Sequence, residues 1–222
     1  MITLKKYQLG ILFACLTAIL FFSTHDAAAT TTVISSDTTV ATLTINSGDT
    51  LQVNSGATLT VTTSLDNFGK INVQAGGSIG KRLTCAIITN HVGATINNSG
   101  QILNDESVLE NYGKINNSGF IQFADEFFIN HVGAVINNSV GGVIRDYVEH
   151  PADNSGTINN RGTINLILES DFENTGLINN RGTINVDSDS TFDNTGGTLK
   201  DICGGVFNNA GTFLGNAIIV SC

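Results

Sequence analysis

The chain has 222 residues, with 10 basic and 19 acidic residues and a net charge of −9. It holds 24 glycines, a single proline and no tryptophan. An acidic chain of this kind is a poor ligand for nucleic acid or anionic surfaces through overall charge, so no nucleic-acid partner is expected. Asn, Gly, Thr, Ile and Val dominate, which suits short strands joined by tight turns rather than helices.

The stretch 1–29 reads as a secretory signal peptide, leaving 30–222 as one domain. Lys5 and Lys6 form a basic start, Leu9 to Phe22 is apolar, and Ala27-Ala28-Ala29 offers a cleavage site before Thr30. No second long apolar run follows, so the mature chain is expected to be exported without integral insertion in a membrane.

From about residue 33 the text becomes repetitive. Ile45 and Leu51 in INSGDTL show the same six-residue step that recurs later, and NFGKINV starts at Asn67. NHVGATINNSGQI starts at Asn90, NYGKINNSGFI at Asn111 and NHVGAVINNSVGGVI at Asn130. The clearest copies are NSGTINNRGTINLI at 154–167 and NTGLINNRGTINVD at 174–187, one full period apart. A unit this short cannot bury its own apolar side chains and must stack on its neighbours. Phe172, Ile178, Ile184 and Phe192 give three inward points per repeat, with N-x-G corners at Asn174-Thr175-Gly176 and Asn180-Arg181-Gly182 between the first three. The expected fold is therefore all-β: a single-stranded, three-sided parallel β-helix, right-handed, of about 20 residues per coil and roughly eight coils.

Columns of like residues follow from that period. Ile96, Ile115, Ile136, Ile158 and Ile178 form one, and Ile102, Ile121, Ile144, Ile164 and Ile184 a second. Leu65, Leu109, Phe128, Phe172 and Phe192 form a third. Asn111, Asn154, Asn174 and Asn194 should stack at one corner, and Asn117, Asn160 and Asn180 at another, each amide bonding the coil above and below. The corner glycines and asparagines are expected to supply left-handed backbone.

Departures from the repeat come next. His91 and His131 sit in corners with two extra residues, two coils apart, and read as exposed turn histidines. Residues 145–153, RDYVEHPAD, read as an outward loop. Arg161 and Arg181 share a corner, where they either pair with nearby acids, the favoured reading, or grip a carboxylate.

Acids collect on the third side: Asp105, Glu106, Glu110, Asp125, Glu126, Asp146, Glu149, Asp153, Glu169, Asp171, Glu173, Asp187, Asp189 and Asp193. Glu169 and Glu173 precede Asp189 and Asp193 by one period. One expectation is a seam in which Glu169, Glu173, Asp189 and Asp193 attract Ca²⁺; the other is a solvated, solubilising face with no cofactor. Cys203 and Cys222 lie about one coil apart and should form a disulfide if they are not two buried thiols. Cys85 would then be unpaired and buried.

No nucleophile elbow, P-loop or Cys/His zinc pattern is present, and tyrosines are few, so no enzyme is expected. A regular threonine array for ice binding is also missing: Thr163 and Thr183 stack, but Leu177 follows Thr157.

The segment DNTGGTL at 193–199 and the recurring N-x-G-x-I-N-N-x-G-x-I resemble repeats of secreted microbial β-solenoid surface proteins of the haemagglutinin and adhesin-like kind. The resemblance covers Asn67 to Asn216. It implies a secreted, non-enzymatic structural or adhesive protein at a microbial surface or matrix. Its partner would be itself, end to end or laterally, or a surface glycan or protein. The chain is short for that group and shows no barrel segment, sorting signal or two-partner secretion domain. The alternative is a pectin-lyase-like β-helix that binds or cleaves carbohydrate along the acidic face.

Overall fold

The computed structural model describes residues 28–80, 86–105, 107–124, 127–147 and 151–222. The signal-peptide assignment falls almost wholly outside these residues, as do Cys85, Glu106, Asp125, Glu126 and Glu149. The described residues form parallel strands and turns, with no helix among them.

Side chains alternate inward and outward along most strands, so a typical short strand offers the interior one or two residues. Ile158 and Asn160 are buried in Thr157–Asn160, with Thr157 and Asn159 outward. The repeat stacks these units with identical register. Ile96 pairs with Ile115, Ile115 with Ile136, Ile136 with Ile158 and Ile158 with Ile178. The other two expected apolar columns are present as well. The result is the expected β-solenoid of about eight turns with about 21 residues in each.

Three faces surround the core. The first is a ten-stranded sheet running from Thr31–Ile34 to Ile219–Ser221. The second carries Gln101–Asp105, Phe120–Ala124, Val143–Tyr147 and Thr163–Ile167; the third carries Val108–Asn111, Pro151–Asn154, Asp171–Asn174 and Thr191–Asn194. These two faces belong to one sixteen-stranded sheet, because Thr58–Asn67 pairs with Ser78–Ile79 at one end and Ile87–Asn90 at the other. Thr38–Ile45 pairs along the same long strand. The first turns therefore lack a break between second and third faces.

Corners come in two kinds. The expected positive φ is found at the N-x-G glycines Gly48, Gly56 and Gly196, but not in the three-residue corners such as Asn174–Gly176 and Asn180–Gly182. A Cβ on Gly176 would lie 2.2 Å from the carbonyl oxygen of Gly156, so the glycine is required by the close approach of the coil below. Positive φ belongs to the four-residue turns, such as His91 to Ala94, where Gly93 has φ of 83° and the Ala94 N–H donates to the His91 carbonyl. The tips of these turns point outward, leaving Val92 and Val132 more than four-fifths exposed.

Of the loop expected at 145–153, residues 148–150 lie outside the described residues, and the parts on either side are strand. Arg145 to Tyr147 continue Val143–Tyr147, and Pro151–Asn154 resumes strand in register with Asp171–Asn174. A proline is tolerated as the first residue of a strand. Cys203 and Cys222 are bonded, with Cα atoms 4.8 Å apart, and tie the last coil to the one before. That last coil leaves Phe207, Phe213 and Ile218 only partly covered.

Candidate functional site

The buried asparagines form two ladders longer than the columns read from sequence. Nδ2 of Asn67 donates to Oδ1 of Asn90, and the series continues through Asn111, Asn130, Asn154, Asn174 and Asn194 at 2.7–2.8 Å. The second runs from Asn98 through Asn117, Asn138, Asn160 and Asn180 to Asp201. Asp201, a carboxylate with no N–H to pass on, closes it. The second ladder starts above Val73, and Oδ1 of Asn98 has no partner there. These amides hold the corners together and are withdrawn from solvent, which supports a structural role.

A third ladder faces outward on the first face and was not expected. Asn97 donates to Asn72, Asn116 to Asn97, Asn137 to Asn116, Asn159 to Asn137 and Asn179 to Asn159. Its direction is opposite to that of the buried ladders. The I-N-N triplet held the signal: its first asparagine has the parity of an outward residue. Beside it, Arg161 and Arg181 occupy equivalent corners of adjacent coils. Asn137, Asn138, Ser139, Asn159, Asn160, Arg161, Asn179 and Arg181 line a groove of about 300 Å³. Among the described residues neither arginine makes an ion pair; the ion pairs found involve His91 with Asp66 and His131 with Glu110. The favoured expectation, that these arginines pair with nearby acids, is not met: Asp201, the acid in the described strands of their face, accepts from Asn180, and the acidic column lies on the third face.

The third face carries Asp66, Glu110, Asp153, Glu173 and Asp193 in one outward column. Glu173 sits beside Asp193, as expected from their spacing. Glu169 and Asp189 occupy stacked corners, where the Ser170 N–H donates to the Ser190 hydroxyl. Glu169 has a positive φ of 66°. The four residues proposed for calcium thus form two separate pairs. Among the described residues no three His, Cys, Asp or Glu side chains converge to hold a metal. Asp171, Phe172, Glu173, Thr191 and Asp193 line a shallow depression of about 170 Å³. Hydrogen bonds from the Thr195 hydroxyl and N–H hold the Asp193 carboxyl below the usual carboxylate range.

Asp146 is not on the acidic surface. It points into the core between Phe123 and Leu166 and is 4 % exposed. Burial pushes its carboxyl up to about 7, against the lowering effect of a hydrogen bond from the Ser170 hydroxyl. Asp153 is also raised, by partial burial and by Glu173, with His131 opposing.

The extended corners bring a further column to the surface. Phe68 stacks on His91 and Tyr112 on His131, each pair with ring centroids 3.8 Å apart. All four residues follow a ladder asparagine directly. That shared position was the available signal, and reading the histidines alone concealed it. The stacked threonines Thr163 and Thr183 continue into Val143 on one side and Val206 on the other, so that array stays two coils deep.

No known family model matches the sequence, and no curated protein does. Among solved structures, the chain is similar to a fragment of TibA carrying TibC-catalysed hyper-glycosylation. Identity is 18 % and the TM-score 0.35, over 89 % of this chain and 96 % of that one.

Proposed function

We propose that this chain is a secreted, non-enzymatic rod with a structural or adhesive role at a microbial surface. The observation that carries the reading is the pair of buried amide ladders running through successive coils. They commit the repeat's most frequent polar residue to holding an extended, regularly faceted surface. The outward acids and bases also lie on different faces, which supports presentation of surface rather than acid–base chemistry between them.

Cell fractionation and N-terminal sequencing test the placement. Mature protein beginning at Thr30 in the medium or on the cell surface is expected, and retention in the cytoplasm with an intact N-terminus would refute it. A deletion strain that keeps normal adhesion and matrix integrity would refute the role.

The carbohydrate-cleaving alternative has one observation in its favour, the depression lined by Asp171, Glu173 and Asp193. Two carboxylates flanking a glycosidic bond are the minimum for such chemistry. Turnover on a glycan panel that disappears in Asp171→Asn would favour it over the rod.

A further inference from the structure

The basic and acidic residues are sorted by face. Outward positions of the first face hold Lys70, Lys114 and Lys200, and its described strands carry one acid, Asp201, whose carboxylate caps a buried ladder. The third face holds the acidic column and no Lys or Arg in its described strands. Net charge therefore misdescribes the first face, although it argues against anion binding for the chain as a whole.

The Arg161–Arg181 groove concentrates this asymmetry. Its outer floor is Asn137, Asn159 and Asn179, half-buried and fixed by their ladder. Each amide spends one N–H on its neighbour and keeps a second N–H and an oxygen lone pair for another partner. Two exposed guanidiniums rise beside this floor, one coil or about 4.8 Å apart. Lys200 extends the Asn179 column by one more coil. Amide donors and acceptors thus repeat from coil to coil along the solenoid axis, with two guanidiniums one coil apart beside them and an ammonium one coil further on.

We propose that this groove binds a carboxylate-bearing polysaccharide laid parallel to that axis. Arg161 and Arg181 take its carboxylates through paired N–H donors. The outward amides meet its hydroxyls, which both donate and accept. A thin polar chain suits a recessed corner floored by amides. The acidic third face of a second copy is a broad sheet surface and fits the recess less well. The proposal rests on the surface role above but fails separately from it, because loss of polymer binding leaves export and surface placement untouched.

Calorimetric titration of the intact secreted protein with alginate oligomers tests the site, with dextran oligomers as the uncharged control. Saturable binding of alginate alone is expected, weakening as salt rises. The double variant R161Q/R181Q should bind about tenfold more weakly or worse, with an unchanged melting temperature. Arg145→Gln, outside the groove, should bind like the parent. Absent alginate binding, equal binding of dextran, or binding that survives R161Q/R181Q would each overturn the proposal. So would concentration-dependent self-association in sedimentation that R161Q/R181Q abolishes, since the occupant would then be a second copy.

Discussion

At the residue scale, the asparagines show how a polar side chain becomes a core residue. Asn174 has no exposed surface and bonds Asn154 on one side and Asn194 on the other. Replacing it with leucine strands a donor and an acceptor, each costing about 1–3 kcal/mol. Asn174→Leu should lower stability by about 2–5 kcal/mol in denaturant unfolding; an unchanged midpoint would show that the ladder contributes little. Asp146 makes the opposite case, a carboxyl among apolar neighbours. Its folded value of about 7 lies above the ordinary unfolded value, so the native state holds its proton more tightly. The stability this lends is complete below about pH 4 and is lost as pH rises toward 7. Asp146→Asn, still able to accept from Ser170, should therefore raise stability by about 2–4 kcal/mol at pH 8 and by much less at pH 4. Melting curves at the two pH values check this. The inward place of Asp146 was legible: it lies two residues beyond Ile144, on the same side of the strand. Its clustering with other acids along the chain points to the surface, and strand parity overrides that.

At the element scale, the strand is almost wholly written in the repeat, whereas the corner is only half written. Ile-Asn-Asn gives inward and outward residues by alternation alone. N-x-G marks a corner without saying why glycine is needed, because the reason is the carbonyl of a different coil. Gly182 repeats the point: a Cβ there would lie 2.1 Å from the carbonyl oxygen of Gly162. Gly182→Ala should force coils apart and destabilise, whereas Gly93→Ala should cost the strain of a left-handed backbone alone, about 1 kcal/mol. The last coil depends on a different device. Its strands are largely exposed, and the disulfide closes a loop with a sequence separation of 19. In the chain-entropy picture that is worth about 3 kcal/mol. Reduction should therefore speed hydrogen exchange in 203–222 while leaving 154–186 protected, and uniform loss of protection would contradict it.

At the scale of the whole molecule, each coil touches only its neighbours, so stability accumulates by interfaces. The Ile columns made the fold legible because one period governs the whole chain. The charge sorting was only partly legible. The acids repeat at the coil period, but which face the lysines share depends on register across coils of unequal length. The arginine corner is visible in the sequence, but its surroundings are not, for the same reason. Proximity along the chain suggested nearby acids, while the solenoid turns them to another side.

The long strands Thr38–Ile45 and Thr58–Asn67 give the rod a head unlike its tail. Where they lie, one strand serves two faces, its alternation broken only at Thr62–Thr63 and its register shifted at Val40–Thr42; where Val206–Asn209, Thr212–Gly215 and Ile219–Ser221 lie, the three sides are separate strands. Identical copies set head on tail would have to join outlines that do not match. End-to-end joining of two copies would have to remodel one of these outlines, whereas adding or deleting a repeat between them changes the length of the solenoid and leaves both outlines as they are.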